Sequence, residues 1–365
     1  MHIFEIISVI SISLLLLLAS YLLVRGYGQN SFFRFIGLFF LLLAFNFADG
    51  LLLLRGYYLE HPYLSGWEDA LPLLYGPTLL LFAESAANPG FKWSVRKAAH
   101  FAPFMVIQSI IIIFYQTLPA EIKQQILVNA TTNEPPAAVI AAQLIVLTHF
   151  LGYTLCARQK IRKHQEQLKR VYSSATVSWV NTIYNYLILL FVFSLAAMLI
   201  QSFSGFEYYL PAALVIVVTT ATFLFVLIFK ALDQPILSVP VQRSGEKRLS
   251  SEEVQHLSDK IERYFTLEQG AADPDLSVKV LAENIGESTR DVSHVVNHHL
   301  ANNFYDLVND YRIAAAKQLL RDHSRSKLTI TEVMFKVGFS SKSSFYTQFK
   351  QKTGFTPSAF RNQLS

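Results

Sequence analysis

Residues 337–357 read VGFSSKSSFYTQFKQKTGFTP. Gly338 and Gly354 bracket a stretch whose apolar positions, Phe345 and Phe349, stand four apart, the spacing of one helical face. Ser340-Ser341 is the kind of pair that opens a helix, because a serine hydroxyl accepts from a free first-turn amide. The opposite stripe is polar: Lys342, Ser343, Tyr346, Thr347 and Lys350. Just upstream, Ile330, Val333 and Val337 mark the inner face of a shorter helix that ends at Gly338-Phe339. A short helix, a glycine turn and a second helix with a polar face make a helix-turn-helix.

The layout occurs twice. Leu276, Val280, Leu281 and Ile285 predict a short helix broken at Gly286. Ser288, with Asp291 three residues on, opens a second one. Val292, Val295 and Val296 turn inward there, leaving Arg290, Asp291, Ser293, His294 and Asn297 outside. Between the units, residues 303–321 predict a long helix whose apolar positions bridge both halves. Ahead of them, Ser250 with Glu252 and Glu253 predicts a capped helix with Val254, Leu257, Ile261 and Phe265 on one face. A helix presented this way has the width of the DNA major groove. Charge supports the two units unequally. From Arg312 onward there are ten Lys+Arg and two Asp+Glu, whereas Arg243 to Tyr311 holds seven and thirteen. Phosphate binding is electrostatic, so the second unit is expected to supply most of the grip, with help from a partner an option for the first.

The rest of the 365-residue chain is different in kind. Overall 52% of residues are hydrophobic and 16% charged, with mean hydropathy +0.34, which argues against a soluble globule. Seven stretches approach the ~20 apolar residues a spanning helix needs: 3–24, 35–54, 70–88, 99–118, 137–157, 179–200 and 208–230. The first lacks the basic start and the small-x-small site of a cleaved signal peptide. With the N-terminus outside, the inner connections hold 11 Lys+Arg, six of them between Arg158 and Arg170, against Arg55 and Lys123 outside. Everything after Lys230 then lies in the cytoplasm. Residues 233–248, with two prolines and a Ser-Gly pair, read as a linker. The outer connections are short, and 119–136 is expected to hold no folded sensor domain. Polar groups at membrane depth are functional candidates. Asp49, Glu84 and His149 are the candidates for sensing, although their depths along the spans argue against one shared pocket; interhelical hydrogen bonding is the plainer account of them. The single cysteine, Cys156, excludes an intrachain disulfide. His294 and His298 are four apart on a helix but have no acidic or cysteine partner in register, so no metal and no cofactor are expected.

Residues 259–363 resemble the DNA-binding domain of the AraC/XylS family of bacterial transcription regulators. The likeness is strongest over ITEVMFKVGFSSKSSFYTQFKQKTGFTPSAFR, Ile330 to Arg361, and extends to NFYDLVNDYRIAAAKQLL as the family's central helix. Met334 departs from it, since the family usually has a small residue there. The resemblance implies base reading by Arg290, Ser293 and His294 in the first unit (276–298) and by Lys342, Ser343, Tyr346 and Thr347 in the second (328–352). Lys350 and Lys352 are then expected at phosphates.

The fold expected is all-α: a seven-helix transmembrane bundle over 1–230, a linker over 231–258, and a soluble domain of two helix-turn-helix units. The function expected is a one-component transcription regulator of the bacterial inner membrane, not an enzyme. Double-stranded promoter DNA and membrane lipid are its expected partners. RNA polymerase and a second copy of the chain are further candidates, and the signal ligand is unknown. The alternatives are a transporter or membrane enzyme with an appended regulatory domain, and a degenerate domain that binds protein in place of DNA.

Overall fold

In the computed structural model the protein is described over residues 2–25, 31–88, 90–132, 135–173, 178–204, 215–216, 218–220, 223, 249–267, 270–321 and 328–363. The described residues are helical, with no strand longer than a single bridge between Tyr172 and Ser277. They form two compact units, Met1–Arg162 with Val177–Ile236, and Lys163–Thr176 with Leu237–Ser365.

The first unit contains α1 (His2–Arg25), α2 (Ser31–Leu54), α3 (Tyr75–Ala87), α4 (Ala102–Ile110), α5 (Ala120–Thr132), α6 (Ala137–Lys169, which runs on into the second unit) and α7 (Ser178–Ser204). Its core is aromatic and aliphatic: Phe39, Phe40, Leu79, Leu81, Phe82 and Tyr184 are each no more than 1% exposed. Five of its helical stretches are long and apolar enough to cross a membrane: Glu5–Val24, Phe33–Leu54, Val95–Tyr115, Ala137–Lys169 and Ile183–Ile200. They turn many large apolar side chains outward, such as Leu17, Ile113, Phe114 and Ile145, all above 59% exposed, as lipid-facing helices do.

The expectation of seven spans is not met among the described residues. The third stretch, 70–88, is a 3-10 turn over Leu71–Leu74 followed by α3, an apolar run of 17 residues from Leu71 to Ala87. Proline is the local reason: Pro72 in the turn and Pro77 near the start of α3 have no N–H to give, so the helix begins late. The seventh stretch and the 233–248 linker lie largely outside the described residues. The 119–136 connection, the longest of the outer ones and expected to hold no folded sensor domain, carries the 13-residue helix α5.

The second unit has α8 (Ser251–Thr266), α9 (Val278–Ile285), α10 (Thr289–Val295), α11 (Phe304–Arg321), α12 (Ile330–Lys336), α13 (Lys342–Thr353) and α14 (Pro357–Asn362). Capping fixes the register: Ser250 and Glu253 form a reciprocal capping box, as do Thr329 and Glu332. The N-cap hydroxyls of Ser277, Ser288 and Ser341 each accept from the amide three residues on. Two cores share α11. Its first half brings Phe304 and Val308 to a cluster with Leu281, Val292 and Val296; its second half brings Ile313, Ala316 and Leu320 to Val333, Phe345 and Phe349. Met334, the departure from the family pattern, is 2% exposed within that second cluster.

Candidate nucleic-acid interface

Each half of the second unit ends in the same local construction. Gly286 closes α9 at φ 71°, and Gly338 follows α12 at φ 92°, both in the left-handed region that suits glycine. After each turn a serine caps the next helix, α10 or α13. On α10 the apolar anchors are Val292, Val295 and Val296, all fully buried; on α13 they are Phe345 and Phe349. Those anchors fix which side of each helix is left outward.

The outward side of α13 carries Lys342, Ser343, Thr347 and Lys350, all exposed, and the half-buried Tyr346. The Lys342 ammonium lies 5.6 Å from the centre of the Tyr346 ring, so cation and aromatic form one surface. Lys352 pairs with Asp310 of α11 at 2.6 Å, an ion pair that the sequence pattern did not reveal. On α10, Arg290 and His294 are exposed, and the His294 ring lies 4.9 Å from that of His298. Ser293 sits elsewhere than expected: it is 8% exposed, and its hydroxyl accepts from the Asn297 amide at 3.2 Å. Asn297 stands four residues on, on the same helical face, and its side chain covers Ser293. Among the described residues no cluster of three or more metal-ligating side chains occurs.

Beneath this surface lies Arg312, 2% exposed, on the line Phe304, Val308, Arg312, Ala316 along α11. Its guanidinium donates to Ala271 O at 2.8 Å, Asp273 O at 2.7 Å and Ser173 Oγ at 3.2 Å. Burial pushes it down to about 10, opposed by the nearby Asp273 carboxylate, so it stays charged at neutral pH. A cation interrupting a row of apolar residues at i, i+4 was the signal for it in the sequence.

The three candidates for sensing are held by different neighbours. Asp49 accepts from the Tyr58 hydroxyl, Glu84 pairs with Lys160 at 3.0 Å, and His149 packs its ring 4.7 Å from that of Tyr153. His149 lines a cavity of about 620 Å³ with His100, Tyr153 and Cys156. Sequence reasoning missed Glu68 and Asp69, although an acidic pair directly before an apolar run was visible. Glu68 and Asp69 lie within electrostatic reach of Asp49. Burial first, then the Asp49 charge, raises the Glu68 carboxyl well above the usual carboxylate range. An acid held high in the folded state stabilises it fully below the unfolded value of ~4.3, and that contribution is lost as pH rises through the folded value. The thermal midpoint of the detergent-solubilised chain is therefore expected to fall from acid to alkaline pH, and Glu68→Gln to flatten the curve. A slope unaltered by the substitution would contradict this.

Residues 281–363 match the family model described as a helix-turn-helix domain. Among curated proteins, an HTH-type transcriptional regulator of Staphylococcus aureus (strain COL) is 32% identical over 136 residues, 37% of this chain and 17% of the relative. A second, from Staphylococcus aureus (strain MRSA252), matches with the same identity and coverage. The chain thus spans 17% of the length of these relatives. A solved structure, the C-terminal domain of AraT, a response regulator from Geobacillus stearothermophilus, is 27% identical. It covers 32% of this chain and 88% of its own, with a TM-score of 0.25.

Proposed function

We propose that this chain, whose C-terminal end is an AraC-type helix-turn-helix domain, is a membrane-embedded one-component transcription regulator. The observation that carries the reading is that two capped helices, α10 and α13, are anchored to opposite halves of one rigid helix, α11. That arrangement suits two successive major-groove faces of one duplex, about 10 bp apart. Arg290 and Lys342 reach guanine edges; His294, Ser343, Tyr346 and Thr347 complete the readout, and Lys350 takes phosphate. Ser293 acts indirectly, through Asn297, and Lys352 reaches phosphate only by leaving Asp310.

The apolar helices hold the chain in the bacterial cytoplasmic membrane, with the N-terminus outside and the DNA-binding domain in the cytoplasm. With Leu71–Ala87 and the stretch 208–230 counted, the spans number seven, in keeping with the basic residues of the inner connections. Helix packing in the bundle sets the activity of the domain. RNA polymerase and a second copy of the chain are partners this reading admits.

Genome-wide mapping of DNA bound by the full chain, with expression profiling of a deletion strain, tests the proposal. Discrete promoter sites are expected, and Arg290→Ala or Lys342→Ala should each cost about 1–3 kcal/mol at them and redistribute occupancy. A map identical for wild type and both variants would remove the readout assignment. A reporter fused after Lys230 and found exported would remove the whole reading.

A further inference from the structure

The second unit includes a segment that comes from the middle of the membrane portion of the sequence, Lys163–Thr176. Leu168 and Ser173 are 0% and 1% exposed there, and Val171 is 9% exposed. The segment is bonded to the first helix-turn-helix unit along its backbone. Val278 N donates to Val171 O at 2.9 Å and Ser173 N to Leu276 O at 3.1 Å, flanking the antiparallel bridge between Tyr172 and Ser277. Ser173 Oγ donates to Leu276 O at 2.6 Å. At the far end of the first recognition region, the Asn297 amide donates to Arg170 O at 3.2 Å. The segment therefore touches both the start of α9 and the start of the π-helical turn that follows α10.

Charge gives this docking a purpose. Arg243 to Tyr311 carries seven Lys+Arg against thirteen Asp+Glu, a poor surface for a polyanion, whereas Arg158 to Arg170 carries six Lys+Arg and one Asp+Glu. Lys163 and Arg170 are exposed, while Lys169 pairs with Glu166 at 3.1 Å. In a docked helix-turn-helix the first helix lies across the sugar-phosphate backbone, and its opening amides face phosphate. Here the first amide of α9, on Val278, is taken by Val171, and the residue before Val171 is the exposed Arg170. A guanidinium is the stronger phosphate partner.

We infer that the segment Lys163–Ser173 is the in-chain partner of the first helix-turn-helix unit, and that it completes the DNA-binding surface by bringing Arg170 and Lys163 to the backbone phosphates that this acidic unit cannot grip alone. The inference rests on the DNA-binding reading above.

The test uses the full chain in phospholipid nanodiscs and a short mixed-sequence DNA duplex. Tyr172 and Ser277 are a non-hydrogen-bonded antiparallel pair, with Cα atoms about 4.5 Å apart, within disulfide reach. With Cys156→Ala as background, Tyr172→Cys with Ser277→Cys should cross-link on oxidation and still bind the duplex as the reduced form does. Arg170→Ala should lower the slope of log K against log[salt] by about 0.9, the value for one phosphate no longer neutralised, and Lys163→Ala should do the same. Ser173→Pro, which removes a bridging amide, should reproduce the loss. Failure to cross-link, an oxidised form that binds more weakly, or an unchanged salt slope in Arg170→Ala would each overturn the inference. A wild-type chain indifferent to DNA at low salt would instead defeat the DNA-binding reading, and the cross-link would still report docking.

Discussion

Phe345→Ala is expected to unfold the second helix-turn-helix unit enough to abolish stable DNA binding. The side chain is fully buried, with ring centres at 5.2 Å from Phe339 and 5.7 Å from Phe349. Truncating such a phenylalanine removes its transfer free energy and leaves a cavity, together about 3–5 kcal/mol. A domain of this size has about 5–15 kcal/mol in total, so most of its margin goes. Pulse proteolysis of the full chain across a urea series would measure the shift. A loss below about 1 kcal/mol would mean the site collapses to refill itself, contrary to the packing described.

Arg312→Ala is expected to act on a comparable scale through a different cause. The guanidinium satisfies Ala271 O, Asp273 O and Ser173 Oγ at 2.8, 2.7 and 3.2 Å. Its removal strands those acceptors in the interior, at about 1–3 kcal/mol for each one left unpaired. Arg312→Lys should not rescue, because one ammonium cannot span acceptors that a flat five-donor fork reaches together. Hydrogen exchange should show the turn at Gly270–Ala272 opening in both variants while α13 stays protected. Full protection in Arg312→Lys would show that charge alone, and not its shape, is what the site requires.

The architecture of the second unit was legible because its signals are local. Serines before the helices, glycines after them and phenylalanines four apart each act within one turn, and α10 and α13 begin at the serines expected to cap them. What the sequence hid depends on distance or on a neighbour's shape. Arg312 meets Ser173 across 139 positions, and no periodicity carries such a pairing. Ser293 stood on the polar side by helical counting, but the Asn297 side chain four residues on covers it, and polarity alone does not reveal which polar residue is covered. The basic run 158–170 was conspicuous by composition, but its docking on α9 uses backbone atoms, which every residue has and no composition betrays. In the apolar N-terminal portion, hydropathy marked the apolar stretches and missed how proline shortens one of them.

Gly338 has a consequence beyond its turn. A Cβ there would stand 2.7 Å from Ala271 O and 2.8 Å from Ala272 O, so the second unit's elbow rests on the backbone that leads into the first. Arg312 ties down the same carbonyl from below. The two helix-turn-helix halves thus meet backbone to backbone at this point, with no room for a side chain between them. One extra base pair between half-sites turns one of them by about 35° around the duplex axis, given 10–10.5 bp per turn. Under the function proposed above, a change in that spacing is met by bending the DNA, and the stiffness of bases that are never touched then enters recognition.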